Sequence, residues 1–345
     1  LLIPLRGQST TERNEEINIS KGRFDEFERK GRQLFTLTSL EDADVAVFPI
    51  GYPMREAAPD LAAAIEEFSK TVTQAGKKTI VFASGDEDLV EVKIPDAIIF
   101  HISLYGTKRE RQQFSWPQFH DDFIKTHCNG AANYRSKSPV PTIGFCGYAP
   151  PLNQKWSKFK VKETLRLALN YLGVMKRQPS KSAHSYRARA LRSLMRQGKV
   201  KTNFIIREHF AFAGPYGNLL PGGTQETAQI FRKEYIENIL GNDYNLCARG
   251  FANCSLRLYE TLCCGRIPVF INTNCVLPYD SIIDWKKHVV WVEENDIARM
   301  PQLIEKFHNS LSDEEFVALQ ASNRELWQEY LSPEGFFKNL RRVLE

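Results

Sequence analysis

The stretch NLCARGFANCSLRLYETLCCGRIPVFI, residues 245–271, predicts a strand, a loop, a helix and a second strand. The apolar run YNLCA (244–248) ends at Arg249 and Gly250, and the next apolar run, RIPVFI (266–271), follows one helix later. Short apolar strands separated by helices are typical of a parallel α/β sheet, which binds ligands at the carboxyl ends of its strands. Arg249 and Gly250 therefore stand where such a sheet would hold a ligand.

The same alternation runs along almost the whole chain. Strands are predicted at 1–5, 44–50, 78–84, 97–103, 142–148, 202–207, 244–248, 266–271 and 288–292, and helices at 59–75, 186–197, 226–240, 255–263 and 296–309. Short apolar strands that alternate with helices indicate parallel sheets covered by helices on both faces. The fold class is therefore predicted to be α/β.

The length and one break in the pattern predict two domains. A chain of 345 residues is too long for one ordinary hydrophobic core. The alternation breaks at SKSPVPTIGF (136–145), where a Ser/Pro-rich segment precedes a new strand. We therefore predict two Rossmann-like, doubly wound domains, 1–140 and 141–325, which face each other across a central cleft. The last residues, 326–345, are predicted to form a helix that packs back across both domains.

Composition excludes several classes of protein. The net charge of +5 is too small for a general nucleic-acid coat. No run of about eighteen apolar residues predicts a membrane span. The seven cysteines are odd in number and several lie in apolar runs, which favours buried free thiols over a disulfide framework or a zinc site. No G-x-G-x-x-G follows a strand and no G-x4-G-K-[ST] occurs, so neither a dinucleotide dehydrogenase nor a P-loop kinase is predicted.

The helix after Gly250 gathers the residues of an anion site. Ser255 stands at the N-cap position, where its hydroxyl could satisfy a free backbone N–H, and Arg257 and Glu260 share one helix face. A helix N-terminus attracts anions, and guanidinium groups present forked donors to phosphate oxygens. Arg249 and Arg257 therefore suit a diphosphate, and Glu260 suits a ribose diol. The alternative is an intrahelical ion pair between Arg257 and Glu260, with Arg249 at the surface.

The string R-G-x4-S-x-R-x-x-E, followed by L-x-x-G-x-I-P-V, resembles the donor-binding signature of exostosin-type (GT47-type) glycosyltransferases. Further segments match in the family's order: DVAVFPIGY (44–52), SLY (103–105), GFCGY (144–148), LPY (277–279), DW (284–285) and VVWVEENDI (289–297). The resemblance is dense over 142–310 and thinner but collinear before it. One departure is Ala248, where many members have proline, which affects the rigidity of the loop more than its chemistry.

The resemblance implies a GT-B fold, with the donor in the C-terminal domain and the acceptor in the N-terminal one. Members of the family transfer a sugar from a UDP-sugar with inversion and require no bound metal. Carried over residue by residue, the resemblance implies that Arg249 and Arg257 contact or order the diphosphate region, that Glu260 holds the ribose, and that Ser255 caps the helix or touches a phosphate. The partners that it implies are a nucleotide sugar and a glycan or oligosaccharide acceptor.

Basic residues outside the signature add candidates for the same site. The segment 176–201 holds nine Lys or Arg residues and no acid, and Arg187 lies near the start of its predicted helix. We predict that Arg187 reaches the diphosphate, and that the rest forms a solvated face or contacts anionic lipids at a membrane surface. Arg207, at the end of the strand TNFIIR, is a further candidate for the nucleotide-sugar site.

Inverting transfer needs a base that takes the proton of the acceptor hydroxyl. The candidate bases are four residues at or near strand ends on the N-terminal side: Asp86, Asp88, His101 and Asp121. Asp86 and Asp88 also match the D-x-D string that holds a metal in GT-A glycosyltransferases, but the two-sheet pattern argues against a metal here. Trp116, in the aromatic stretch FSWPQFHDDF (114–123), is a candidate platform for the acceptor.

The predicted function is that of an inverting hexosyl- or glucuronyltransferase, which moves a sugar from a UDP-sugar to a glycan hydroxyl in polysaccharide or surface-glycan synthesis. The alternative is a catalytically silent GT-B partner that binds nucleotide or stabilises an active subunit. Free cysteines favour the cytoplasm, with membrane contact through 176–201, whereas removal of an N-terminal anchor would place the same fold in the Golgi lumen. The donor sugar, the acceptor glycan, the base and the oligomeric state stay open.

Overall fold

Two parallel β-sheets organise the fold. The computed structural model describes residues 23–53, 58–83, 91–149, 165, 183–196, 198–207 and 225–344. The first sheet contains β1 (Ala46–Val47), β2 (Thr79–Ala83), β3 (Ile98–His101) and β4 (Gln113–Ser115), in that spatial order and all parallel. Helices α1 (Arg23–Leu34), α2 (Pro59–Gln74) and α3 (Phe123–His127) accompany it. All five residues of β2 are buried, as expected of a strand covered on both faces.

Strand β4 is not predicted by the sequence pattern. It contains one apolar residue, Phe114, and only Ser115 is fully buried. The strand forms because its backbone pairs in parallel with β3, with Ser115 opposite His101. Such pairing depends on a tertiary neighbour, which local composition does not signal. The strand predicted at 1–5 lies outside the described residues.

The second sheet contains β5 (Thr142–Tyr148), β6 (Lys201–Arg207), β7 (Tyr244–Cys247), β8 (Ile267–Asn272) and β9 (Val290–Glu293). Its spatial order is β6-β5-β7-β8-β9, again all parallel. Helices α4 (Ala183–Arg196), α5 (Gln225–Leu240), α6 (Leu256–Cys263) and α7 (Met300–Asn309) belong to this half. The chain leaves β5 towards β6 on one side and later places β7 on the other. Open α/β sheets bind ligands beyond the strand ends at such a switch point.

The C-terminal segment crosses back to the first sheet. Helix α8 (Asp313–Leu326) continues through a π-helical turn (Trp327–Leu331) into α9 (Pro333–Lys338) and α10 (Arg341–Leu344). The ring of Phe336 lies 5.6 Å from that of Phe100 in β3, and the ring of Phe337 lies 6.2 Å from that of Phe82 in β2. Helix α8 contacts α6 and β8 of the second half. The predicted packing of the C-terminal segment across both halves is confirmed.

One hydrophobic core spans the junction between the two sheets. It joins Phe82 and Phe100 of the first sheet to Leu258 and Phe270 of the second half, and Phe336 closes it. Full burial of a phenylalanine stabilises a fold by roughly 1.5–3 kcal/mol, so a core of this size holds the two halves together.

The predicted α/β fold with two parallel sheets, the arrangement of a GT-B fold, is confirmed. Strand β4 ends at Ser115 and β5 begins at Thr142, and the domain limits at 140/141 and 325/326 stay predictions. All seven cysteines are free thiols. Within the described ranges, no helix is both long and apolar enough to cross a bilayer.

Candidate functional site

A cleft of about 420 Å³ opens at the switch point of the second sheet. Residues that end or follow β5, β6 and β7 form its floor, the start of α6 and one face of α5 form its walls, and Gln118 reaches it from the first half. Its described lining carries one carboxylate, Glu260, against four arginines, Arg187, Arg207, Arg232 and Arg257. The cleft is therefore strongly cationic and suits an anionic ligand.

Arg187 lies at the floor of this cleft and is buried, with 8% of its surface exposed. Its Nη1 donates to the Tyr148 carbonyl at 2.8 Å, and its Nη2 donates to the carbonyls of Ala248 (3.4 Å) and Arg249 (3.3 Å). Its Nε has no partner, and no carboxylate among the described residues forms an ion pair with it. Burial and then Arg257 lower the pKa of Arg187 to about 9, which leaves it a cation at neutral pH. A buried charge without a counterion is costly, so this site favours a bound anion.

Arg257 lies in the first turn of α6 and faces the same cleft. Its Nη2 donates to the Cys146 carbonyl at 2.7 Å, whereas its Nε has no partner. Burial acts to lower the pKa of Arg257, but Tyr235, Cys247 and Glu260 together outweigh it and the pKa is raised. Arg257 is therefore cationic, and the alternative, an intrahelical ion pair with Glu260, is not formed among the described contacts.

Aromatic rings support the cleft arginines. The guanidinium carbon of Arg257 lies 4.5 Å from the ring centroid of Phe145, and that of Arg207 lies 4.0 Å from Phe231. The Arg207 Nη2 also pairs with the Glu234 carboxylate. Cation–π contacts stabilise a cation without neutralising its charge. Arg257 therefore keeps its charge available for a ligand, whereas that of Arg207 is partly compensated.

Glu260 is held from two sides inside the cleft. It is 3% exposed, the Tyr235 hydroxyl donates to its Oε2, and Arg232 Nη1 lies 3.8 Å from its Oε1. Burial and the Glu260 charge raise the pKa of Tyr235 well above its usual range, so the phenol remains a donor. The Glu260 carboxylate is thereby fixed in place, and its remaining lone pairs can accept from a ribose diol.

The start of α6 differs from the prediction in one respect. Ser255 occupies the N-cap position with extended backbone angles, but its side chain caps no backbone N–H, so the predicted cap is wrong. Its hydroxyl instead lines the cleft, as Gly250 also does. Gly147 at the end of β5 has a φ of +147°, and a Cβ there would lie 3.1 Å from the Nη2 of Arg257. A glycine at that position lets the arginine approach the strand end.

Arg249 turns away from the cleft. It is 3% exposed, and its guanidinium donates to the Tyr105 hydroxyl (2.5 Å), the Asn253 side chain (3.0 Å) and the Phe251 carbonyl (2.8 Å). It is absent from the cleft's lining residues. The prediction of a direct diphosphate contact is corrected to a positioning role, because the guanidinium donates to its own loop at Phe251 and Asn253 and to Tyr105 of the first half instead of facing the cleft.

The residues predicted for the acceptor side lie in different surroundings. Trp116 is 4% exposed and packs against Phe82 (5.1 Å between centroids) and Phe119, so it is a core residue and no platform for a sugar. His101 is 4% exposed, its Nε2 has no partner, and burial lowers its pKa to about 4. Asp121 is half-buried, in the segment that brings Gln118 to the cleft. Asp86 and Asp88 lie outside the described residues.

Sequence reasoning missed the contribution of α5. Phe231, Arg232 and Tyr235 all line the cleft, and Arg232 also lies 4.4 Å above the ring of Phe123 in the first half. The spacing of Phe231 and Tyr235 puts them on one helix face, which was a usable signal. The sequence alone does not say that this face meets the strand ends, because the crossing of α5 over the sheet is a tertiary feature.

The basic segment 176–201 divides between the site and the surface. Arg187 points into the cleft, whereas Arg189 and Arg196 are exposed and Lys199 pairs with Glu305. Residues 176–182 lie outside the described ranges, and the membrane contact stays a prediction.

Comparison with known proteins bears on this cleft. Residues 181–307 match the model of the Exostosin GT47 domain. This region is therefore similar to an exostosin GT47 domain. The chain is similar to Exostosin-1 of Drosophila melanogaster, at 29% identity over 106 residues, 31% of this chain and 13% of that protein. It is similar to the Exostosin-1 homolog of Caenorhabditis elegans, at 33% identity over 100 residues, 29% of this chain and 25% of that protein.

The chain is also similar to two proteins that are named as glycosyltransferases. A probable glucuronosyltransferase of Oryza sativa subsp. japonica is 36% identical over 70 residues, 20% of this chain and 16% of that protein. A glycosyltransferase structure from Rickettsia africae ESF-5 aligns at a TM-score of 0.35 and 13% identity, over 86% of this chain and 85% of that one. The chain spans a quarter or less of the length of these three curated relatives.

The exostosin-like domain contains most of the cleft. Arg187, Arg207, Arg257 and Glu260 all lie within the matched residues, and the predicted resemblance to the exostosin family is confirmed. Gln118 lies outside the match and approaches from the first half. The end of β5 (146–148) also lies outside the match, so the cleft combines the matched region with that strand end and with Gln118 of the first half.

Proposed function

We propose that this chain is a glycosyltransferase that transfers a sugar from a UDP-sugar to a hydroxyl group of a glycan, with inversion and without a bound metal. The observation that carries the proposal is the pair of guanidinium groups of Arg187 and Arg257, which share the cleft at the switch point and have no carboxylate ion-pair partner among the described residues. The exostosin-like domain and a relative named as a probable glucuronosyltransferase support it.

The two arginines would hold the diphosphate. Negative charge develops on the diphosphate as its bond to the anomeric carbon breaks. Arg187 and Arg257 are already fixed by carbonyl oxygens and aromatic rings, so they need no reorganisation to stabilise that charge. In this proposal, guanidinium groups supply the charge that a divalent cation supplies in other transferases, which is why we propose a metal-independent reaction.

Glu260 would hold the ribose. Its carboxylate lies on the same helix face as Arg257, and Tyr235 and Arg232 keep it from rotating. A carboxylate has acceptor capacity for both hydroxyls of a diol, so Glu260 favours a ribonucleotide over a deoxyribonucleotide. Ser255, whose hydroxyl caps no helix N–H, would contact a phosphate oxygen.

The acceptor hydroxyl would attack the anomeric carbon from the side opposite the diphosphate, and its proton must pass to a base. Among the described candidates, we propose Asp121, because Gln118 in the same segment reaches the cleft. His101 is a poor base, since burial lowers its pKa to about 4. The donor sugar, whether hexosyl or glucuronyl, and the compartment stay predictions.

Thermal unfolding of the purified chain against a panel of nucleotides, with and without Mg²⁺, tests the donor site. Ligands that bind only the folded state raise the melting temperature, by an amount set by concentration and Kd. We expect UDP and UDP-sugars to raise the melting temperature. For each ligand, the rise should be the same with Mg²⁺ as with a chelator. Stabilisation only with Mg²⁺ would overturn the metal-independent site. No response to any nucleotide would overturn the proposed function.

A further inference from the structure

A second groove lies at the junction of the two sheets, away from the donor cleft. It has a volume of about 650 Å³, and the described residues that line it are all different from those of the cleft. Gly106 and Arg109, which follow β3, form one side, and the β8–β9 loop (residues 273–289) together with Trp291 of β9 forms the other. Asn253 connects the two cavities: it contacts Cys275, which lines the groove, and its neighbours Ala252 and Cys254 line the donor cleft.

The groove has the chemistry of a carbohydrate site. The half-buried indole of Trp291 forms part of its wall, and Asp280, Ser281 and Asp284 supply hydrogen-bonding groups beside it. Aromatic faces pack against the C–H faces of sugars, and carboxylates accept from sugar hydroxyls. Lys286 Nζ lies 5.6 Å from the ring centroid of Trp291, where it can meet an acidic group of the ligand.

Contacts on both sides of the groove hold its lining residues in place. Trp291 Nε1 donates to Glu293 at 2.7 Å, and the ring of Phe270 lies 5.1 Å from its ring. Arg109 Nη1 donates to Asp280 at 2.6 Å and thereby ties the two sides of the groove together. Tyr279, beside Asp280, has a φ of +53°, a left-handed conformation that is unfavourable for a residue other than glycine. Strain of this kind is retained where the surrounding structure requires one loop geometry.

A protein partner fits the groove less well than a glycan. Ile282, at 42%, is the one strongly exposed large apolar residue among the described residues of its lining. The other groups at the rim are charged or polar, whereas the centre of a protein interface is depleted of charge and broadly apolar.

We propose that this groove is a subsite for the acceptor glycan, which binds sugar units remote from the reacting end. The inference rests on the proposed function, since a transferase that extends a glycan must hold a chain whose end enters the donor cleft. Both cavities lie at the junction and receive residues from both halves: Gln118 in the donor cleft, and Gly106 and Arg109 in the groove. A chain that leaves the donor cleft along the junction would meet Trp291.

Transfer to glucuronate-containing acceptors of two lengths, a disaccharide and a decasaccharide, tests the subsite in the full chain. In Trp291→Ala and Asp284→Ala we expect kcat/KM for the decasaccharide to fall about tenfold, and that for the disaccharide to change less than about twofold. Trp291→Phe should restore most of the activity because it keeps an aromatic face. Asp296→Ala is the matched control, since Asp296 pairs with Arg299 three residues on, as Asp284 does with Lys287, but lies outside the groove.

The results separate the subsite from the proposed function. An equal loss for both acceptor lengths, or no loss for either, would overturn the subsite. So would wild-type protein that is stabilised by UDP but shows no calorimetric binding of the decasaccharide. Failure of UDP to stabilise the wild type would overturn the proposed function itself. The thermal measurement tests this on the wild type alone, without any groove variant.

Discussion

Arg249, which follows β7 of the second sheet, donates a hydrogen bond from Nη1 to the hydroxyl of Tyr105, which follows β3 of the first sheet, across 2.5 Å. The same guanidinium holds the Asn253 side chain, whose Nδ2 donates to the Leu104 carbonyl. The loop after β7 is therefore anchored to the opposite half while its other residues line the donor cleft. Arg249 acts on the cleft through the shape of this loop.

Tyr105→Phe removes the acceptor of this bond and keeps the ring. We expect the free energy of unfolding to fall by about 1–3 kcal/mol, because a buried guanidinium loses a partner, and UDP affinity to fall less than about threefold. Denaturant unfolding and calorimetry measure the two effects. Tyr330→Phe is the control, since its exposed hydroxyl also accepts from an arginine, Arg342. Loss of UDP binding without loss of stability would show that the network contacts the ligand.

Arg187→Met should weaken UDP binding by roughly 10- to 100-fold, because a charge-assisted hydrogen bond contributes about 1.5–3 kcal/mol. Methionine keeps much of the buried volume while removing the charge. Isothermal titration with UDP gives the affinity. Arg189→Met, two residues along the same helix and exposed, should bind UDP as the wild type does. Equal losses in the two variants would mean that the segment acts through its general positive field.

Glu260→Gln tests the ribose contact. The amide keeps the shape of the side chain but loses charge and one acceptor, so we expect UDP affinity to fall about tenfold. We expect the affinity for 2′-deoxy-UDP to be lower than that for UDP in the wild type and to change much less in the variant. Glu237→Gln, on the exposed side of α5, serves as the control. If both nucleotides lose affinity in equal measure, Glu260 contacts another part of the ligand.

His101 should make stability depend on pH in weak acid. Burial lowers the pKa of His101 from 6.5 to about 4, so between these values the unfolded state binds a proton that the folded state does not. Stability is therefore lost as the pH falls from 6.5 towards 4, by up to about 3 kcal/mol. Urea unfolding at pH 7 and about pH 5 should show a smaller loss in His101→Gln than in the wild type. Parallel pH profiles of the two proteins would show that groups other than His101 cause the loss of stability. His120 and His127 also have lowered pKa values and remain in both proteins.

Local patterns predicted much of the fold. Strand β5 forms over Thr142–Tyr148 as predicted, and α6 begins one residue after the predicted start, because these elements have clear apolar periodicity and turn residues at their ends. Strand β4 escaped prediction because three residues with one apolar side chain have no such periodicity. Phe231 and Tyr235 lie on a predicted helix, but only the packing of this helix against the second sheet brings their face to the cleft.

The sequence by itself determined the α/β alternation and placed arginines and a glutamate at strand ends and in the first turns of helices, since both depend on residues close together along the chain. The tertiary structure decided which of those arginines face the cleft. Arg187 and Arg257 enter it, whereas Arg249, beside them in the fold, turns to Tyr105, a partner 144 residues away. It likewise buried Trp116 and left Trp291 at a groove. Side-chain direction at a loop depends on contacts between distant segments, and these exist only when the two sheets have packed together.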